Sequence, residues 1–356
     1  MNTPQAIAFD PNSLGQKDSN IFGLPFSPEQ AQMVIIPVPW EVTVSYRAGT
    51  AGGPSAIMTA SKQVDLFEPL LKDAWKVGLA MLALPEHLLL LNEFSRGKAE
   101  AYISLLEDGE SPETNAGMKR LLDEINESCV TMNQWVKETA IGILESGKFA
   151  ALVGGDHSTP LGLMEAVGEK LGDFGILHFD AHADLRDAYE GFIYSHASIM
   201  FNALKIPALK KLVQIGIRDY CEDERKLIES SGGRIVTYFD RDLKAKQFSG
   251  ESWKAICNEV VNHLPDKVYV SFDIDGFDPK LCPNTGTPVP GGFEFEQALY
   301  MVQMLVESGR KIIALDVNEV APGSDGDEWD ANVGARLLYR LSNLAALSQG
   351  LKPIVQ

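Results

Sequence analysis

Three short clusters carry the reactive side chains of this chain. The first is Asp180-Ala-His182-Ala-Asp184, two carboxylates flanking an imidazole at alternate positions. In extended backbone alternate side chains share one side, so these three can converge on a point. The second, Asp273-Ile-Asp275, repeats the carboxylate spacing. The third, Gly-Gly-Asp156-His157-Ser158, places another imidazole beyond a tight glycine turn. Four aspartates (Asp180, Asp184, Asp273, Asp275) and two histidines (His157, His182) exceed what one ion usually takes from side chains. They match two ions sharing bridging carboxylates, and four negative charges balance two divalent cations. Oxygen and nitrogen donors without thiolate favour Mn²⁺, with Ni²⁺, Co²⁺ and Zn²⁺ as further choices. A water between two such ions loses a proton readily and becomes a nucleophile.

Each cluster alone has a plainer explanation. A single D-x-D after a strand can be a loop cap or half of an ion pair. An EF-hand reading of DIDGFDP fails, because Gly276 stands fourth rather than sixth and no Glu closes the loop. Three clusters together are harder to dismiss, since six adjacent buried polar groups without a metal are expensive. His196, in Tyr194-Ser195-His196-Ala197-Ser198, could shuttle a proton to a leaving amine, or be a surface-loop histidine. Glu319 could pair with a cationic substrate near the ions, or be a strand-end salt bridge. His178 falls inside a strand and reads as a satisfied core histidine. His87 and His263 read as surface or capping residues on helices.

A sheet is needed to bring these residues together. Apolar runs predict strands over 33–38, about 77–82, 150–153, 174–179, 212–217, 234–237, 267–272 and 311–317. Helices are predicted over 52–63, 85–106, 116–146, 159–170, 222–230, 252–264, 293–308 and 332–347. The runs VYVSF and IIALDV are apolar throughout rather than alternating. Strands covered on both faces look like that, which means a parallel sheet between helix layers. Reactive residues in such sheets sit at the carboxyl ends of strands. Four of these strands end in the three clusters and in Asn318-Glu319. The predicted fold is a three-layer α/β/α sandwich with a central, mainly parallel sheet, one domain over 1–356. Residues 1–32 have no clear period and read as an irregular arm over the surface, part of an oligomer contact. The 85–146 region carries helices but no readable role.

Composition narrows the class. The 356 residues are 45% hydrophobic and 22% charged, ordinary values for a folded protein. Such a length needs no disulfide or structural metal to hold a core. The formal charge of −18 and the lack of a basic run argue against nucleic acid as a partner. Four widely spaced cysteines fit reduced cytosolic thiols. No signal-peptide pattern and no run long enough to span a membrane appear, so a cytoplasmic protein is expected.

The ordered set of motifs resembles the ureohydrolase family, which includes arginase, agmatinase, guanidinobutyrase and formimidoylglutamase. The resemblance covers 34–347 and rests on PVPWEVTVSYRAGTAGGPSAI, GGDHS, FDAHADLR, SFDIDGFDPKLCPNTGTPVPGG and LDVNEVAP. It implies an arginase-like fold and two Mn²⁺ ions per chain, held by His157, Asp180, Asp184 and Asp273 and completed by His182 and Asp275. It also implies that Asp184 takes the proton of the attacking water, His196 moves a proton to the departing amine, and Glu319 binds and orients the guanidinium. Trimers or hexamers are common in the family. Departures concern the far end of the substrate. Arg186 stands where arginases usually carry Asn, and Cys221 where they carry a second Asp, both against L-arginine. An agmatinase-like substrate is the leading expectation. A guanidino acid, free guanidine, a formimidoylglutamase releasing formamide and a metal-binding pseudoenzyme are the alternatives. Arg186 is expected either to contact substrate or to form an ion pair with Asp187 or Glu190.

Overall fold

In a computed structural model, residues 9–13, 15 and 18–354 are described. Eight strands form one sheet: β1 (Met33–Val38), β2 (Leu79–Met81), β3 (Phe149–Gly154), β4 (Phe174–Phe179), β5 (Leu209–Ile217), β6 (Ile235–Phe239), β7 (Lys267–Asp273) and β8 (Lys311–Asn318). Their order is β2-β1-β3-β8-β7-β4-β5-β6. Every pairing is parallel, so the sheet is wholly rather than mainly parallel.

Pro37 lies inside β1 without a ladder N–H to give. It is tolerated because β2 pairs only with Met33, Val34 and Ile35, leaving that flank of Pro37 without a partner strand. Alternation splits β1 between two cores. Met33 and Ile35 join an apolar cluster with Val302, Leu337 and Leu341, whereas Val34, Ile36 and Val38 join one with Met132, Val136 and Leu163.

The first cluster is covered by α1 (Gly53–Ala60), α8 (Trp253–Asn262), α9 (Phe295–Glu307) and α10 (Trp329–Gln349). The second is covered by α2 (Glu86–Glu107), α3 (Ala116–Glu145), α4 (Leu161–Leu171) and α5 (Ile199–Ala203). The expected three layers are therefore present. α6 (Glu222–Ser230) and α7 (Asp240–Phe248) sit near the β5–β6 edge. Neither α5 nor α7 was expected from sequence. α5 has only five residues, and α7 reads DRDLKAKQF with Leu243 its one buried apolar side chain, so no apolar stripe announces it.

Part of the expected N-terminal arm (1–8, 14, 16 and 17) lies outside the described residues. The stretch 18–32 is irregular, with one 3-10 turn at Ile21–Gly23, but it does not lie over the surface. Ile21, Phe22, Leu24 and Phe26 are buried. The Asn20 amide donates to Met81 O at 3.1 Å and accepts from Met81 N at 2.8 Å. It thus satisfies backbone groups on the exposed edge of β2.

Candidate metal centre

The strands β3, β8, β7 and β4 are consecutive neighbours in the sheet, and each ends in one of the reactive stretches. Tight backbone approaches make this convergence possible. A Cβ on Gly155 would lie 1.9 Å from Trp40 O, and one on Gly154 would lie 2.0 Å from Asn318 Oδ1. The double glycine at the end of β3 is therefore steric. It lets the chain turn and deliver His157 beside β8.

His157 Nδ1 lies 3.0 Å from Asp180 Oδ2, 3.1 Å from Asp184 Oδ2 and 3.2 Å from Asp273 Oδ2. One nitrogen facing three carboxylate oxygens is a ligand set rather than a hydrogen-bond pattern, because a single N–H cannot serve all three. A second group forms beside it. His182 Nδ1 lies 3.0 Å from Asp275 Oδ2 and 3.5 Å from Asp180 Oδ1. Asp180 thus gives one oxygen to each group. All six residues expected as ligands come together, in a buried His/Asp cluster compatible with two metal ions.

Electrostatics support that fit. Burial, then the Asp180 charge, pushes Asp184 up to about 8. Burial, then Asp275 and Asp180, pushes Asp273 well above the carboxylate range. Burial also works against the charged form of Asp180, but His178, His157 and His182 outweigh it and hold its pKa well down. The cluster therefore carries more negative charge than its histidines offset, a demand that divalent cations meet.

Outer partners fix the ligands. His157 Nε2–H points to Ser271 Oγ at 2.9 Å, and that hydroxyl donates to Asp316 Oδ1 at 3.0 Å. His178 donates from Nε2 to Asp180 Oδ2 at 2.8 Å while its Nδ1 accepts from the Gln214 amide at 3.1 Å. Both of its nitrogens are engaged, so it is the satisfied core histidine expected, although it orients a ligand. Arg218 donates to the carbonyls of Asp275 at 2.6 Å and Phe277 at 3.1 Å, tying the loop after β7 to the end of β5. Ser271, Asp316 and Arg218 were not singled out from sequence. The one available signal was an aspartate inside the apolar run IIALDV.

Asp184 and Glu319 both adopt positive φ, 55° and 63°. Non-glycine residues in that region persist where surrounding contacts over-determine them, often at functional sites. Those contacts are present. Asp184 O accepts from Met200 N and Phe201 N, and Glu319 N donates to Gly155 O at 2.8 Å.

A cavity of about 160 Å³ opens above the cluster. Its walls include Ser45, His182, Asp184, Arg186, Tyr189, His196, Asp219 and Glu224. His196 is half-buried there. Its Nδ1 is buried without a partner, and burial followed by the His182 and His157 charges lowers its pKa to about 4. It is therefore not a surface-loop histidine. Glu319 is buried but does not line this cavity. Its Oε1 accepts from His157 N at 2.9 Å. Arg186 is partly exposed at the mouth, stacked 4.8 Å from the Tyr189 ring. Its ion-pair partner is Glu224 at 3.9 Å rather than the expected Asp187 or Glu190, although the Glu190 carboxylate still feels its charge. Glu224 could not be anticipated because it lies in another element, at the start of α6.

The model of the arginase family matches residues 31–342. This chain belongs to the arginase family. Over 333 residues it is 31% identical to the N(1)-aminopropylagmatine ureohydrolase of Thermus thermophilus, covering 93% of this chain and 96% of that one. It is also 31% identical over 340 residues to the agmatinase of Neisseria meningitidis, covering 93% and 94%. The agmatine ureohydrolase of Thermoplasma volcanium superposes with a TM-score of 0.71 at 23% identity, covering 93% of this chain and 96% of that one. The arginase of Bacillus subtilis does so at 0.63 and 22% identity, covering 87% and 98%. These two structures show the shared fold. The arginase family uses a binuclear metal site, in keeping with the paired ligand groups here.

Proposed function

We propose that this member of the arginase family hydrolyses a guanidino C–N bond of an agmatine-like substrate, releasing urea and an amine. The observation that carries the reading is Asp180, which offers one oxygen to each of two ligand groups. His157, Asp180, Asp184 and Asp273 would hold one ion, and Asp180, His182 and Asp275 the other. Mn²⁺ is the proposed metal and Ni²⁺ the second choice, from the mixed carboxylate and imidazole donors. When bound, the pair supplies an acidified water and positive charge beside the attacked carbon.

The protein's own groups do the rest. Asp184, at the cavity floor, accepts the proton lost by the attacking water. His196, neutral and with an unengaged Nδ1, receives a proton and passes it to the departing amine nitrogen. Burial and then the Asp156 charge raise Glu319 well above the usual range, so although it stands behind the cavity lining, its carboxylate would gain from a guanidinium held close to the cluster. A cytoplasmic homo-oligomer, trimer or hexamer, belongs to the same reading. The free cysteines support the compartment.

Arg186 favours a second reading, a substrate ending in a carboxylate, such as a guanidino acid or the formimidoylglutamase substrate. The test is to load the protein with Mn²⁺ or Ni²⁺ and measure urea and formamide from agmatine, arginine, guanidinobutyrate, guanidine and formiminoglutamate. Urea from agmatine is expected. Formamide as the product selects the alternative, and no turnover with either metal leaves a metal-binding pseudoenzyme.

A further inference from the structure

The walls of the cavity mouth are loops, and one helical hairpin touches two of them. The loop after β4 carries Arg186 and Tyr189 to the mouth before it reaches His196. Between them the backbone is irregular. Ala188 and Glu190 both take φ of 53°, and Gly191 takes 86°. Side chains of α2 and α3 hold this tip, joined by Asn202 on α5, which donates to Ile193 O at 2.8 Å. Asn126 on α3 accepts from Ile193 N at 2.8 Å through Oδ1 and donates from Nδ2 to Gly191 O at 3.3 Å. It thereby clasps the backbone on both sides of Phe192. Tyr102 on α2 donates to Glu190 O at 3.0 Å, and its ring packs 5.2 Å from that of Phe192, which is wholly buried. A Cβ on Gly191 would meet Tyr102 Oη at 3.0 Å, so the loop lies directly on the hairpin.

The same hairpin reaches the opposite wall. Asn92 accepts from Glu41 N at 2.8 Å, and Arg96 donates to the carbonyls of Val42 and Val44, next to the cavity residue Ser45. Four side chains of a hairpin that contributes nothing to the ligand set therefore fix the backbone of two mouth loops.

His196 is held otherwise. Arg186 N donates to Ala197 O, and Met200 N donates to Asp184 O, both at 3.0 Å. The end of the loop that bears His196 is thus tied to the ligand stretch itself. The ties of the reactive end do not pass through α2 or α3, so loosening the hairpin contacts leaves them in place.

We infer that the α2–α3 hairpin positions the mouth of the pocket, and that Asn126 and Tyr102 are positioning residues selecting the far end of the substrate through the 187–193 loop. The inference rests on the proposed guanidino hydrolysis for its substrate half only. Asn126→Ala removes both bonds of the clasp. Its expected effect is a rise of about fivefold in exchange of the Ile193 amide, the worth of one ordinary hydrogen bond, with β4 amides unchanged. On the Mn²⁺-loaded protein, KM for agmatine should rise about fivefold while kcat stays within about twofold. Methylguanidine, too short to reach the mouth, should be turned over as before. Asn126→Asp retains the acceptor for Ile193 N–H and should restore its slow exchange. Tyr102→Phe should shift KM in the same direction by less.

Unchanged Ile193 exchange in Asn126→Ala overturns the brace. Equal losses for agmatine and methylguanidine overturn the claim on specificity. If the unaltered protein releases urea from no guanidino compound, the substrate half falls together with the proposed function, and the exchange result still decides the brace.

Discussion

The residues proposed as ligands hang from the ends of three strands, β3, β4 and β7, whereas most residues at the cavity mouth hang from loops. On the floor, each proposed ligand lies within a few residues of the buried end of a parallel strand, and its orientation is passed on through buried partners such as Ser271 and His178. At the mouth, Arg186 and Tyr189 sit on a loop whose tip, at Glu190, Gly191 and Ile193, makes hydrogen bonds with α2 and α3, far away in sequence. The floor can therefore stay constant while the mouth changes. One region sets the chemistry and the other selects the molecule that receives it, a division common where loops vary on a fixed scaffold.

The sharpest way to break this division is Asp180→Asn, which removes charge from both ligand groups at once. Metal content should fall below two ions per chain, and urea release should fall by more than the ~10–100-fold that follows loss of an outer partner. Elemental analysis showing two ions retained at full activity would remove the bridging role. His196→Asn tests the boundary between floor and mouth. It should lower kcat by about 10²-fold, the low end for a proton-transfer group, with metal content unchanged. A loss of metal instead would place His196 among the ligands. Ser271→Ala tests whether the floor is held from behind. The residue does not line the cavity, yet it accepts from His157 Nε2, so metal affinity should drop by ~10–100-fold while KM at saturating metal stays fixed. A KM change without a metal change would contradict that placement.

The two regions also differ in how far the sequence alone discloses them. All eight strands and the six residues proposed as ligands are legible because short local patterns encode them. An apolar run gives the strand, and an i, i+2 pair of acids gives the ligands at its end. Ser271 and Asp316 escape because they lie inside such runs, where a single polar residue has no periodic signature. The neighbour of Arg186 is misplaced for another reason. Local spacing points to Asp187 or Glu190, but Glu224 arrives from α6 and is fixed by accepting from Leu185 N and Cys221 N. Asn126 is one polar position on a long amphipathic helix, and nothing local says that it faces a loop more than sixty residues away. Residues 18–32 show the converse. They lack periodicity and so read as a surface arm, but buried contacts need no period when a segment has no regular structure.

The smallest predicted effect lies at Arg186, and its sign is informative. The guanidinium is partly exposed and stands 3.9 Å from Glu224, so its field at the mouth is screened by solvent and partly offset. Removing it in Arg186→Ala leaves Glu224 in place, because two backbone N–H groups still hold that carboxylate. The mouth then becomes more negative. KM for agmatine, whose far end is an ammonium, should fall about threefold to fivefold, and KM for guanidinobutyrate should rise by a similar factor, the scale of about 1 kcal/mol for a solvated charge. Both shifts should shrink as salt is raised, since the interacting charges are exposed. If the ratio of the two KM values does not move, Arg186 is a support for Tyr189 and the loop, and substrate selection rests on shape rather than charge.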